Sequence, residues 1–149
     1  MSVAEDIKDL LVEVDNDFTP RLSVKLDFDV YCRKIAEKAV LFTVYEAGKI
    51  SGLVAVYCND SAVDSAFVTM VAVRKSARST GLGSALLRSS FAYAAKAGFK
   101  TMRLEIYKTN PGLRSFYGRL GFTVASESDV SVFMELDLFS HQSSRLGTS

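Results

Sequence analysis

The sequence predicts an α/β fold, a single domain in which a mixed β-sheet is flanked by helices. Its 149 residues are close to the length of one ordinary domain. From residue 66 onwards strand-like and helix-like segments alternate, which implies right-handed crossovers and locally parallel strands. Two earlier strand-like runs, 39–45 and 50–57, are joined by a four-residue connection with a glycine, which is typical of an antiparallel hairpin. Parallel and antiparallel pairing together give a mixed sheet.

The first 39 residues are predicted to be largely helical. Residues 3–14 place their apolar side chains on one face of a helix. Residues 15–29 contain Pro20 and mixed polarity, so we expect a loop or a short turn there. Residues 28–39 form a second amphipathic helix, and the apolar side chains on its common side are Val30, Tyr31, Ile35 and Ala36.

The middle of the chain alternates between strand and helix. Residues 66–73 are almost continuously apolar, as expected for a strand in the middle of a sheet. A helix over 81–97 ends at Gly98, where a left-handed C-cap favours glycine. Residues 101–107 alternate between apolar and polar side chains, which predicts a strand with one apolar face.

The C-terminal part is predicted to contain one more helix and a pair of strands. The helix spans 111–120, with Asn110 as its N-cap and a proline at its first position. The strands cover 122–126 and 130–136. The tail at 140–149 is polar, and we expect it to be disordered.

The composition is that of a globular protein, with 48% hydrophobic and 23% charged residues. No apolar run approaches the ~20 residues of a membrane span. The N-terminus lacks the basic stretch and apolar core of a signal peptide, so we expect a cytoplasmic protein with reduced thiols. Cys32, Cys58 and His141 are too few for a four-ligand zinc site, and we expect neither a metal nor a catalytic cysteine.

Charge is distributed unevenly along the chain, although its net value is only +1. Residues 1–29 hold eight acids and three bases, whereas residues 74–119 hold ten bases and a single acid, Glu105. Such a surplus predicts an anionic partner for the middle of the chain. A phosphorylated small molecule fits better than nucleic acid, because the chain has no aromatic-basic repeat and no DNA-reading motif.

The turn that enters the helix at 81–97 has the pattern of an anion site. Small residues there, with Gly81 and Gly83, leave backbone N–H groups unpaired at a helix N-terminus, where the helix dipole also favours an anion. Arg78 adds a charge. A plain strand-to-helix turn is the alternative. A dinucleotide fingerprint is disfavoured because Leu86 stands at the third glycine position, and a nucleotide P-loop is excluded because Gly-Lys-Ser/Thr is missing.

Two motifs in this part of the chain resemble those of the GNAT N-acetyltransferase superfamily. The first, Arg78-x-x-Gly81-x-Gly83, is similar to the loop that binds the pyrophosphate of acetyl-CoA there. The second is Asn110, followed seven residues later by Tyr117 and then by Leu-Gly-Phe. The separation of the two motifs is also that of the superfamily.

The resemblance covers about residues 40–137 and implies that acetyl-CoA is the acetyl donor. It implies a cleft for acetyl-CoA between two splayed parallel strands, 67–73 and 101–107. The backbone at 71–73 would pair with the pantetheine arm, the loop amides would hold the pyrophosphate, and Asn110 would meet the pantetheine or the thiol end. The acetyl-CoA-binding residues implied in this way are Val71, Ala72, Val73, Arg78, Ser79, Thr80, Gly81, Leu82, Gly83, Ser84 and Asn110.

The implied reaction is direct attack of an amine on the thioester in a ternary complex. The attacking amine must be neutral, so a protonated acceptor first loses a proton. The backbone N–H of Val71 is the implied donor to the carbonyl oxygen. Tyr117 matches the tyrosine that protonates the departing thiolate, and ordinary packing beside Phe116 is its alternative.

The base is an open question. Many members of the superfamily carry a carboxylate on the central strand, but residues 66–73 contain none and Thr69 is their only polar residue. Glu105 has the spacing of the glutamate base in bacterial ribosomal-protein alanine N-acetyltransferases, and it would act directly or through water. An ion pair with Arg103, or with another base of this acid-poor stretch, is its alternative. The outside candidates are Asp60 and Asp64.

The acceptor is defined only by class. The regions that frame it in this superfamily, here 15–31 and 126–130, are acidic, which favours a cationic amine, and a small amine, an amino sugar or a peptide N-terminus fits. A second hypothesis is a non-catalytic acyl-CoA-binding or regulatory module, favoured by the missing central-strand carboxylate. We expect no nucleic acid or membrane partner, and the last strands offer an edge for a homodimer.

Overall fold

The computed structural model describes residues 2–59 and 64–139. The tail expected to be disordered, 140–149 with His141, and the outside candidate Asp60 lie beyond the described residues.

The described elements follow the predicted order closely. The helices are α1 (Val3–Val14), α2 (Leu22–Lys25), α3 (Phe28–Lys38), α4 (Leu82–Lys96) and α5 (Pro111–Arg119). The strands are β1 (Val40–Glu46), β2 (Lys49–Tyr57), β3 (Ser65–Val73), β4 (Thr101–Tyr107), β5 (Thr123–Glu127) and β6 (Ser131–Asp137). Every helix and strand that the periodicity predicts is confirmed to within one residue at each end.

The six described strands form one mixed sheet in the order β1-β2-β3-β4-β6-β5. Strands β1 and β2, β4 and β6, and β5 and β6 pair in antiparallel fashion. Strands β3 and β4 are parallel, and their register joins only residues 65–67 to residues 101–103. The predicted mixed α/β architecture is therefore confirmed, and the parallel pairing of the two strands that follow each other through α4 is part of it.

The chain divides into two compact units. The described residues of the first unit are 2–57 and 69–90, and those of the second are 58–59, 64–68 and 91–139. Both β3 and α4 contribute residues to each unit. The single domain expected from the chain length remains a prediction.

The core of the first unit is built on the apolar stripe of α1. Ser2 and Glu5 form a capping box that starts this helix, and its apolar stripe is at most 1% exposed. The stripe packs against residues of α3, β2 and β3 in one hydrophobic cluster. Its members from α1 are Ile7, Leu10, Leu11 and Val14, and those from the other elements are Cys32, Ile35, Ile50, Leu53, Ala55, Met70 and Ala72.

Two local predictions are wrong in the first unit. Residues 22–25 form the short helix α2 inside the segment expected to be a loop or turn. Val30 is 56% exposed, because Cys32 and Ile35 define the buried side of α3 and Val30 lies well over 90° away from that side around the helix.

The β1–β2 hairpin is tighter than the four-residue connection suggests. Glu46 already pairs with Lys49, so only Ala47 and Gly48 form the turn. Both residues have positive φ, +52° and +79°, as a type I′ hairpin turn requires. Alanine rarely adopts this conformation, which is why the sequence predicts a longer connection.

Candidate active site

In the first unit, one backbone edge of β3 faces away from β2. The N–H of Arg74 donates to the carbonyl of Ser51 on β2 at 2.7 Å. Because backbone groups alternate in direction along a strand, those of Thr69, Val71 and Val73 point to the opposite edge. This edge carries two of the three residues that the resemblance assigns to the pantetheine arm, and Ala72 between them faces β2.

The carbonyl groups along this edge have side-chain partners at two positions. The carbonyl of Thr69 accepts a hydrogen bond from the hydroxyl of Tyr31 at 3.1 Å, and that of Val73 accepts one from Nε of Arg78 at 3.0 Å. Strand-to-strand pairing with β4 ends before this point, at Phe67. Side chains therefore occupy part of this edge in the free protein, and a ligand that pairs like an added strand would take the place of the Arg78 contact.

The loop after β3 presents a run of unpaired backbone donors. None of the described residues accepts a hydrogen bond from the N–H groups of residues 79–84, and the first bond of α4 runs from Ala85 N to Gly81 O at 3.0 Å. The first turn of α4 contains no acidic residue. Six consecutive residues with unpaired N–H groups thus lead into the positive end of a 15-residue helix, which is the kind of segment that binds phosphate groups.

The two glycines of the loop contribute in different ways. Gly81 has a φ of +80°, and Ser79 before it has a φ of +67°, so the loop turns through left-handed conformations. At Gly83 a Cβ would meet only Cγ2 of Val73, at 3.5 Å. Gly81 therefore serves the backbone path, whereas Gly83 leaves open space beside the donors.

Arg78 has partners within the protein. Its Nη2 lies 2.6 Å from Oδ2 of Asp17, in the 3-10 turn Asp15–Asp17 that follows α1, while its Nε is bonded to the Val73 carbonyl. Its contact with a phosphate stays a prediction. Such a contact would have to compete with the hydrogen bonds to Asp17 and to the Val73 carbonyl.

In the second unit, Glu105 is held by a serine rather than by a base. Ser131 on β6 is 1% exposed, and its hydroxyl donates to Oε2 of Glu105 at 2.6 Å. Arg103 instead pairs with Glu135, with Nε and Oε2 3.7 Å apart, so the alternative of an Arg103–Glu105 ion pair is wrong. No ion pair of Glu105 occurs among residues 2–59 and 64–139, which leaves its carboxylate available to a proton.

Tyr117 is buried in an aromatic cluster of the second unit. It is 6% exposed, and its ring lies edge-on to those of Phe116 and Phe122, at 5.0 and 5.6 Å between centroids. Burial raises the pKa of Tyr117 to about 12. Its hydroxyl makes no hydrogen bond within the described part of the chain. The ring thus packs beside Phe116, as the alternative expects, and the role of the hydroxyl as a proton donor stays a prediction.

Asn110 is the N-cap residue of α5, as predicted, but its side chain makes no capping hydrogen bond. Pro111 has no N–H to offer, and the N–H of Leu113 is already taken by the main-chain carbonyl of Asn110 at 3.2 Å. The exposed amide group of Asn110 is therefore not engaged by the start of the helix.

The central strand β3 has a hydroxyl group, that of Thr69, in place of a carboxylate, and tyrosine hydroxyls lie beside it. Oγ1 of Thr69 lies 2.9 Å from the hydroxyl of Tyr31, whose pKa burial raises to about 12. The buried hydroxyl of Tyr57 lies close to Thr69 without a hydrogen-bond partner among the described residues. Asp64, an outside candidate for the base, lies 3.7 Å from Lys100 in an ion pair.

The predicted site residues fall into two groups. The first unit holds the strand edge at 71–73 and the loop at 78–84, and the second unit holds Glu105, Asn110 and Tyr117. Sequence reasoning missed Ser131, Tyr31 and Asp17, because each acts through a partner 26 to 61 residues away and carries no local pattern.

Two other kinds of site find no support in the described ranges. Residues 2–59 and 64–139 contain no cluster of three or more His, Cys, Asp or Glu side chains able to hold a metal ion. Within the same ranges, no helix is both long and apolar enough to cross a membrane.

A model of the acetyltransferase (GNAT) family matches residues 5–122 of the chain. No curated protein sequence matches it. Among solved structures, the ribosomal-protein-S18-alanine N-acetyltransferase from Escherichia coli is similar, with a TM-score of 0.71 at 20% identity over 93% of this chain and 90% of that one.

Two further solved structures have the same fold. An acetyltransferase of the GNAT family from Desulfovibrio desulfuricans gives a TM-score of 0.74 at 15% identity, over 91% of this chain and 92% of that one. The PaiA N-acetyltransferase from Thermoplasma acidophilum, in complex with coenzyme A, gives 0.70 at 15% identity, over 92% and 95%. At these identities the likeness establishes the fold and leaves activity to the site.

Proposed function

The chain belongs to the GNAT acetyltransferase family, and we propose that it transfers the acetyl group of acetyl-CoA to a primary amine. The observation that carries the proposal is the run of N–H groups at residues 79–84 without protein acceptors, at the N-terminus of α4. Such a run, at the positive end of a helix, favours a bound anion. A pyrophosphate supplies the negative charge and the acceptor oxygens.

The first unit binds acetyl-CoA in this proposal. The donors at 79–84 hold the pyrophosphate, and the edge of β3 at Val71 and Val73 pairs with the amide groups of the pantetheine arm. When bound, acetyl-CoA supplies an acetyl group activated as a thioester. The N–H of Val71 then faces the thioester oxygen and stabilises the negative charge that develops there.

The second unit supplies the proton-transfer groups in this proposal. Glu105 takes a proton from the incoming ammonium, directly or through a water, and the hydrogen bond from Ser131 orients the carboxylate for that step. Tyr117, whose hydroxyl is protonated at neutral pH, donates to the departing sulfur. These assignments favour a catalyst over a module that only binds acyl-CoA.

We propose a peptide N-terminus as the acceptor to be tested first. An α-amino group has a pKa of about 7.7–8.0 and is partly neutral at physiological pH, whereas an alkyl amine near 10.4 is almost wholly protonated. A central strand without a carboxylate suits the less basic amine. The similar enzyme from Escherichia coli is named for the N-terminal alanine of a ribosomal protein, which points to the same class.

The test combines binding with turnover. Calorimetric titration with acetyl-CoA, NAD and ATP should show saturable binding of acetyl-CoA alone. Acetyl transfer is then measured with an alanine-initiated peptide, glucosamine and putrescine. Glu105→Gln should lower kcat by about 10²-fold or more at unchanged acetyl-CoA affinity, which is the usual contribution of a general base. Glu46→Gln, at an exposed strand glutamate, is the matched control and should have no effect.

Each contrary outcome has a distinct meaning. Binding of acetyl-CoA without transfer to any amine would point to the acyl-CoA-binding module. Absence of binding would remove acetyl-CoA as the donor. Full activity of Glu105→Gln would leave the enzyme class in place and exclude Glu105 as the base.

A further inference from the structure

The side chain of Arg78 makes two contacts within the protein that affect the binding of acetyl-CoA. Its Nε donates to the carbonyl of Val73 at 3.0 Å, and its Nη2 lies 2.6 Å from Oδ2 of Asp17. All three residues belong to the first unit. The side chain therefore joins the outward edge of β3 to the turn that follows α1.

Both contacts involve groups that the proposed function requires for acetyl-CoA. The Val73 carbonyl lies on the strand edge assigned to the pantetheine arm, and Arg78 stands immediately before the unpaired donors at 79–84. The carboxylate of Asp17 contacts the guanidinium group as a phosphate oxygen would, through a short charge-assisted hydrogen bond. Asp17 thus occupies, on Arg78, the place of a ligand anion.

We propose that Asp17 is an internal competitor of acetyl-CoA, whose pyrophosphate displaces it from Arg78. This inference rests on the proposed function. As acetyl-CoA binds, the guanidinium leaves the Val73 carbonyl and Asp17 and turns to the pyrophosphate, so the strand edge and the cation become available together. In the free protein, Asp17 keeps Arg78 ordered and its charge neutralised.

The strengths of the two contacts support this exchange. The side chains of Arg78 and Asp17 are 38% and 34% exposed, and an ion pair so accessible to water shifts an equilibrium by no more than about five-fold. A pyrophosphate offers more negative charge and a bidentate contact, so it wins the competition. Because the ion pair between Arg78 and Asp17 must first break, its free energy is subtracted from the binding free energy of acetyl-CoA.

The competing possibility predicts the opposite sign. If Asp17 instead held Arg78 in its binding position, its removal would weaken acetyl-CoA binding. The geometry favours competition, because Nε of Arg78 lies on the Val73 carbonyl, and a pantetheine paired along this edge requires that carbonyl to be vacated.

The experiment is a double-mutant cycle read by calorimetric titration with acetyl-CoA at constant ionic strength. We expect Asp17→Asn to lower the Kd of acetyl-CoA about two- to five-fold, and to have no effect in an Arg78→Gln background. Asp29→Asn is the matched control, because it also removes one acidic charge from an exposed ion pair of the first unit, 2.7 Å from Lys8. It should leave Kd unchanged. Thermal unfolding of each variant verifies that it folds.

The sign and the background dependence decide the result. The competition is overturned if Asp17→Asn weakens acetyl-CoA binding or leaves it unchanged. It is also overturned if Asp29→Asn raises the affinity equally, or if Asp17→Asn still raises the affinity in the Arg78→Gln background. If the wild type binds acetyl-CoA but transfers no acetyl group, the proposed catalysis fails while the cycle still tests Asp17. If the wild type binds no acetyl-CoA, the proposed function fails and this inference fails with it.

Discussion

At the scale of single residues, Tyr117 shows how packing and chemistry coincide in one side chain. Its ring lies between Phe116 and Phe122, and the loss of water there raises the pKa of its hydroxyl to about 12. The raised pKa keeps the phenol protonated to a higher pH than an ordinary tyrosine and also makes it a weaker acid. The packing around the ring therefore sets how tightly the proposed acid holds its proton.

Tyr117→Phe should separate activity from stability. The substitution keeps the aromatic packing and removes a hydroxyl that has no partner in the described part of the chain, so unfolding at neutral pH should change little. We expect kcat to fall about 10²-fold or more, as for loss of a general acid, with acetyl-CoA affinity unchanged. Steady-state assays of acetyl transfer measure kcat, and thermal unfolding measures the stability. Unchanged kcat would exclude Tyr117 as the acid.

The same residue makes a prediction for alkaline pH. Its pKa is about 12 in the folded protein against an ordinary 10.0, so the folded state holds the proton more tightly than the unfolded state. The resulting stability is complete below pH ~10 and is lost as pH rises towards 12. Tyr117→Phe should therefore lose less stability than the wild type between pH ~10 and ~12. If denaturant titrations show that both proteins lose the same stability over this pH range, Tyr117 is not buried.

At the scale of elements, the N-terminus of α4 is where local sequence creates a binding surface. Gly81 permits the left-handed turn, and the first turn of the helix that follows contains no acidic residue. The donors at 79–84 consequently stay unpaired. Because no side chain of the described residues caps them, these donors are available to the anion that the proposed function assigns to them.

Substitutions at Gly83 should test this surface without disturbing the fold. A Cβ there meets only Val73, at an ordinary 3.5 Å, and alanine is the better helix former. We expect Gly83→Glu to be as stable as the wild type or more so, because an acid suits a helix N-terminus, and to weaken acetyl-CoA binding by about ten-fold or more. Gly83→Gln has the same shape without the charge and should bind better than Gly83→Glu. Equal binding of these two would show that no anion lies there.

At the scale of the whole molecule, tertiary structure redistributes the charge that the sequence concentrates. Of the ten bases at 74–119, six have a carboxylate partner within the described ranges. These are Arg74, Arg78, Lys100, Arg103, Lys108 and Arg114. Acids from other segments thus neutralise much of the linear surplus, and the described bases without an ion pair are Lys75, Arg88, Lys96 and Arg119. The attraction for an anion is more local than the count along the chain suggests.

Lys75 should therefore matter more than other unpaired lysines. It lies in the 3-10 turn Lys75–Ala77, directly before the loop at 78–84 that we propose to bind the pyrophosphate. We expect Lys75→Gln to weaken acetyl-CoA binding about two- to five-fold at low salt, and the difference to shrink near 1 M salt, where charges are screened beyond ~3 Å. Lys96→Gln, at the far end of α4, is the control and should bind like the wild type. Equal effects of the two would assign the attraction to net charge.

The sequence alone determined the elements, the family resemblance and the loop that we propose as the anion site. These depend on periodicity, glycine placement and motif spacing, which act between residues close together in the chain. Only the tertiary structure decided the partners. It gave Glu105 a serine instead of Arg103, tied Arg78 to Asp17, and left the side chain of Asn110 out of the helix cap. The physical reason is that these partners are 26 and 61 residues apart in the sequence and meet only when the chain packs. Sequence periodicity carries no information about contacts over such separations.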